Sequence, residues 1–88
     1  MPEIEIPDRF RIFAAQLPPE IRRKLANAIR MLANDPRYPS LQSKPVEGAP
    51  GIYEARVDLQ YRLTCERLPG DVLRLRVVGK HDDVLKNP

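Results

Sequence analysis

Apolar residues recur along the chain with two different periods. Glu3 to Ile6 alternate and predict a short strand, which Pro7 stops. Phe10, Phe13, Ala14 and Leu17 then fall at helical spacing within residues 8–17, with Asp8 as the expected N-cap. Pro18 and Pro19 break this helix and start another, because the first turn of a helix tolerates a missing N–H. Beyond them Ile21, Leu25, Ala28, Ile29 and Leu32 mark one apolar stripe, ended by Asn34, Asp35 and Pro36. Two amphipathic helices on so short a connection predict a hairpin that lays both stripes on something flat.

From Asp35 to Gly51 four prolines, at 36, 39, 45 and 50, exclude regular helix and central strand. A loop of this length in a small domain needs anchoring, and Tyr38, Leu41 and Val46 are the residues expected to pin it. Period two then takes over in residues 52–58, 61–67 and 72–78. Leu68 to Asp71 supplies a type II turn with Pro69 and Gly70 at its centre, so the three segments predict an antiparallel meander. One face of it carries Tyr53, Ala55 and Val57, then Tyr61, Leu63 and Cys65, then Leu73, Leu75 and Val77, and is expected to meet the helices. The other displays Glu54, Arg56, Arg62, Thr64, Glu66, Arg74 and Arg76, expected to be exposed. The predicted fold class is α+β: a short N-terminal strand, an α-helical hairpin, then a three-stranded antiparallel meander, with the helices packed on one sheet face. All of it is expected to form a single domain over residues 1–88.

The net charge of +3 is unevenly placed. Residues 36–80 hold eight bases against five acids, and eleven of the fifteen basic residues are arginine, whose planar fork suits phosphate or carboxylate. No apolar stretch is long enough to cross a membrane and nothing resembles a signal peptide, so the cytoplasm is the expected location. A lone cysteine, Cys65, reads as a small core residue; it excludes an internal disulfide. One histidine and the paired Asp82 and Asp83 are too few for a metal cage, and the four glycines form no phosphate loop. No metal and no cofactor is expected.

What remains is His81, after the third strand, near arginines projecting from the sheet. In a polar terminal segment an isolated imidazole reads as a hydrated side chain or as a proton carrier. Cleavage of RNA needs a base for the 2′-hydroxyl, an acid for the departing 5′-oxygen and positive charge on the phosphorane. A histidine among arginines and lysines supplies much of that set.

Three segments carry a resemblance: "LPPEIRRKLANAIRMLANDPR", "LQSKPVEGAPGIYEARVDLQYRLTCE" and "VLRLRVVGKHDDVL". Their order and spacing resemble the RelE/ParE superfamily of toxins from type II toxin-antitoxin systems, over nearly the whole chain. The resemblance implies a ribosome-dependent endoribonuclease that cleaves mRNA and is neutralised by a cognate antitoxin. Residue by residue it implies a phosphate-binding role for Arg62, proton transfer by His81 and assistance from Lys44. Arg56, Arg74, Arg76 and Lys80 are expected to contact RNA phosphate. The ParE branch implies an alternative, a non-enzymatic inhibitor of DNA gyrase; a third is a member that binds antitoxin and has lost toxicity.

Overall fold

A computed structural model describes residues 1–88. In chain order the elements are β1 (Glu3–Glu5), α1 (Asp8–Ala15), α2 (Pro19–Asn34), a 3-10 turn (Pro39–Leu41), β2 (Lys44–Pro45), β3 (Ile52–Arg56), β4 (Tyr61–Leu68), β5 (Val72–Lys80) and α3 (His81–Lys86). The five strands form one sheet in the order β1-β5-β4-β3-β2. The α+β reading, the helical hairpin and the antiparallel meander are all present. No helix is long and apolar enough to cross a membrane.

The stripe of α2 lies on the sheet as its spacing demands: Leu25, Ala28 and Leu32 are buried, with Ile21 and Ile29 at the flanks. Phe10 of α1 and Leu17 join them, and Ala55, Leu63, Cys65, Leu73 and Leu75 answer from the sheet. Burying each leucine stabilises by about 1.5–3 kcal/mol relative to exposure, enough to hold a hairpin whose helices are short for independent stability. Pro19 occupies the first turn of α2. Asp8, expected to cap α1, is instead its first residue, and Pro7 stands at the cap position. Its carboxylate then acts only as a favourable charge at the positive end of the helix.

Three points about the strands add to or change the sequence reading, which left the place of β1 in the sheet open. First, β1 lies at a sheet edge and runs parallel to β5, with Glu3 opposite Val72 and Glu5 opposite Arg74. Second, the proline-broken loop contains β2, a two-residue strand antiparallel to β3, which its own Pro45 confines to the opposite edge. The loop is otherwise anchored by Leu41 and Val46, both buried, whereas Tyr38 is exposed and only its hydroxyl is held, accepting a hydrogen bond from Asn34 Nδ2 at 2.8 Å.

The third change concerns the facing of β5. Leu63 pairs with Val78 and Cys65 with Leu75, so residues 63–65 of β4 face residues 75–78 of β5, and the extra residue makes a β-bulge. The bulge reverses the alternation beyond Leu75. Val78, and not Val77, joins the core between sheet and helices. Val77 is buried elsewhere, in a cleft it lines with Val84 of α3, and its N–H bonds to Thr64 Oγ1 at 3.3 Å. The hydroxyl of Thr64 thus serves the amide that the bulge removes from the strand ladder.

The polar segment from His81 onward is also more than a tail. It forms α3, which packs on β4 and β5. A Cβ at Gly79 would lie only 3.6 Å from Val84 Cγ2. Thr64 Oγ1 and Arg76 Nε both donate to the Pro88 carbonyl oxygen, at 3.0 and 2.9 Å. Thr64 alternates with the core residues Leu63 and Cys65, so this cover lies over the face away from the helical hairpin. That face, expected to be open to solvent, is partly closed, and Thr64 and Glu54 are buried on it.

Candidate functional site

The site is best built from the turn that joins β3 to β4. Val57 and Asp58 donate their N–H groups to Tyr61 O, and Tyr61 N–H donates to Asp58 O, closing a tight connection. Asp58 Oδ1 accepts the N–H of Gln60 at 3.1 Å, the local side-chain bond that favours aspartate in turns. Asp58 Oδ2 accepts from Lys24 Nζ of α2 at 2.6 Å, which ties the turn to the helical layer. The Lys24 bond, followed by the Gln60 N–H, holds the Asp58 carboxyl below the usual carboxylate range. Asp58 in turn raises Lys24.

Arg62 follows on β4, directly opposite Arg56 of β3 and Gly79 of β5. Its side chain is only 17% exposed. Nη1 donates to Asp58 O at 2.9 Å and to Tyr61 O at 3.3 Å, and Nε lies 3.7 Å from Glu54 Oε1, whose own side chain is 5% exposed. Two turn carbonyls and one buried carboxylate therefore fix the guanidinium plane. Nη2 makes no hydrogen bond to the protein and remains as the donor edge for an external oxygen. Alternation alone placed Glu54 among solvated charges. Its burial beside Arg62 depends on packing across strands, which period-two patterning does not register.

His81 opens α3 two residues beyond Gly79, the partner of Arg62. Its backbone N–H donates to Gln60 O at 2.8 Å, and its ring Nδ1 lies 3.5 Å from Asp82 Oδ1. The side chain is 41% exposed, so the imidazole is accessible and has a carboxylate within reach to orient it. Arg62 and His81 thus stand at one end of the sheet, both attached to the same turn. Asp82 and Asp83 in the first turn of α3 and Lys86 in its last match the helix macrodipole, the one signal in the sequence for a helix that its polar composition hid.

The other expected site residues divide. Lys44 is exposed on β2 opposite Glu54, and so belongs to the Arg62 side of the sheet. Arg76 is tied to Glu66 at 3.5 Å and to the Pro88 oxygen. Arg74 sits opposite Glu66 and pairs with Glu5 at 3.1 Å; Glu66 lies four positions along β4 from Arg62, about 13 Å of strand. Arg74 therefore lies outside the cluster at the His81 end. Lys80 is opposite Tyr61, whose ring packs on the helical core, so Lys80 falls on the other side of the sheet from Arg62. Arg56 lines a groove against α2 with Arg23, Lys24 and Arg30. Of the seven expected residues, Arg62 and His81 share one turn, Lys44 lies on the Arg62 side of the sheet, Arg56 stands at the margin, and Arg76 is held towards Glu66 and Pro88.

No protein-family model matches the chain. No curated protein sequence matches it either. Solved structures do. YafQ from E. coli strain BL21(DE3) superposes with a TM-score of 0.76 at 19% identity, over 96% of this chain and 98% of that one. A chain of the RelB-RelE antitoxin-toxin complex from Methanococcus jannaschii gives 0.74 at 21% identity, over 96% and 99%. The isolated E. coli RelE toxin gives 0.71 at 19% identity, over 98% and 97%. Over nearly its whole length, this chain has the fold of the RelE and YafQ toxins.

Proposed function

We propose that the protein is the toxin of a type II toxin-antitoxin pair and acts as a ribosome-dependent mRNA endoribonuclease. The observation that carries this reading is the attachment of Arg62 and His81 to one turn, at one end of a sheet with the RelE and YafQ fold. In this reading Arg62 donates from Nη2 to a non-bridging phosphate oxygen and stabilises the charge that grows there when the 2′-hydroxyl attacks phosphorus. His81 transfers one of the two protons, the one leaving the 2′-oxygen or the one reaching the 5′-oxygen of the departing strand. Lys44, Arg56 and Arg76 hold flanking phosphates, and Lys44 assists at the scissile one. The products are a 2′,3′-cyclic phosphate and a 5′-hydroxyl, so no external co-reactant is consumed.

A protein partner completes the proposal. The similar structures include toxin-antitoxin complexes, and a cognate antitoxin is proposed to silence this chain by covering the Arg62 end with acidic side chains. Action on translating ribosomes places the protein in the cytoplasm.

The test is cleavage of mRNA on programmed ribosomes, mapped by primer extension, with DNA supercoiling by gyrase measured in parallel. His81→Ala should lower the rate by about 10²–10⁴, the span of a lost general acid or base. Arg62→Ala should lower it by about 10²–10³. Undiminished cleavage by both variants rejects these roles. Inhibited supercoiling with intact mRNA replaces the nuclease reading with gyrase inhibition.

A further inference from the structure

Two backbone carbonyls of the β3–β4 turn hold the two residues on which the proposed activity rests. Asp58 O accepts from the Arg62 guanidinium at 2.9 Å, and Gln60 O accepts the N–H of His81 at 2.8 Å. Both carbonyls belong to a turn whose tip is exposed; Leu59 is 77% exposed. Exposed hairpin tips are ordinarily the mobile parts of a sheet. Beyond its own backbone bonds, this one is tied to the helical layer by the side chain of Asp58. One carboxylate oxygen accepts the Gln60 N–H inside the turn, and the other accepts from Lys24, which projects from the middle of α2 on the opposite layer. We infer that Asp58 is a positioning residue, which through its bond to Lys24 locks the turn and thereby fixes Arg62 and His81 relative to each other. The inference rests on the proposed nuclease reading for its catalytic meaning; the geometry of the lock does not.

An ion pair of this exposure adds little to global stability, so its removal separates positioning from folding. Lys24→Met removes the anchor and leaves the turn intact. Asp58→Asn keeps an oxygen for the Gln60 N–H and gives up the charge. Misplacement of reacting groups by fractions of an ångström is costly, so both variants should lower kcat about tenfold or more with KM nearly unchanged. Thermal midpoints should stay close to wild type. Lys24→Arg, which restores a cationic donor, should recover most of the lost kcat. Lys24 also lines the groove beside Arg56, and a direct role in RNA binding would appear as a raised KM at constant kcat.

Amide hydrogen exchange provides a readout independent of activity. Exchange of the His81 N–H should quicken in Lys24→Met and Asp58→Asn, while core amides such as that of Leu63 keep their protection. Wild-type exchange at His81 in both variants overturns the inference, as does an effect confined to KM. A wild-type protein that leaves RNA intact on ribosomes refutes the functional reading alone, and the His81 amide then still decides whether Asp58 holds that residue in place.

Discussion

Replacing Thr64 by valine tests how the second layer of the fold is attached. Thr64 is fully buried, and its hydroxyl bonds to the Pro88 oxygen at 3.0 Å while accepting the bulge amide of Val77 at 3.3 Å. Valine has nearly the same shape, so no cavity opens and the loss is confined to the two bonds. The Pro88 oxygen is only partly buried and regains water, which puts its bond at the low end of about 0.5–1.5 kcal/mol. The Val77 N–H cannot regain water, and a buried donor left without a partner costs about 1–3 kcal/mol. The sum is about 2 kcal/mol. For a domain of this size that lowers the thermal midpoint by roughly 8–16 °C. Urea unfolding followed by circular dichroism, extrapolated to water, measures it directly. Thr64→Ser, which keeps the oxygen and loses one methyl, should cost about 0.8 kcal/mol. If Thr64→Val costs less than about 0.5 kcal/mol, below the range for any buried unpaired donor, the hydroxyl is not what satisfies the bulge.

Further outcomes are open to measurement. Burial pushes the Cys65 thiol up to about 11 from 9.0, so the folded state keeps its proton where the unfolded chain loses it. Its contribution is fully present below pH 9 and is lost as pH rises towards 11, a span of roughly 2–3 kcal/mol at 1.36 kcal/mol per unit. The stability difference between wild type and Cys65→Ala should change by that amount across the window, and a constant difference would contradict the burial argument. Leu41→Ala empties a buried anchor of the proline-rich loop and should cost about 2–5 kcal/mol by denaturant titration. A cost near zero would mean that the loop is held by Val46 and its neighbours instead.

What the residues disclose by themselves follows the strength of each periodic signal. The stripe through Leu25, Ala28 and Leu32 and the alternation in β3 and β4 are long and unambiguous, so hairpin and meander were legible from them. The facing of Val77 and Val78 was not, because two adjacent valines fit either register and only the pairing across to Thr64 decides where the bulge falls. β2 has two residues, one of them proline, and carries no period at all. α3 has a single buried apolar residue, Val84, and its sequence reads as polar until charge placement at its ends is weighed. The candidate site shows the same limit. Arg62 and His81 were visible as residue types suited to phosphate chemistry. Glu54 beside Arg62, and the turn carbonyls that grip both residues, depend on which groups the fold brings together across layers, and spacing along the chain carries no record of that.

The parallel pairing of β1 with β5 has a consequence for the order in which the molecule assembles. β5 is an interior strand whose two neighbours are β4, joined to it by a short turn, and β1, which begins 69 residues earlier at Glu3 opposite Val72. During synthesis, at about 5–20 residues per second, Ile4 waits several seconds for Leu73, its partner on β5. The pair of β3 and β4 has local contacts to make and can form in that interval, whereas α1, which packs on β5, waits with β1. Insertion of β5 is then the step that closes the sheet, and it carries His81 directly behind it. His81 is therefore among the last residues to take its place, and the Arg62–His81 pair is incomplete until β5 is inserted.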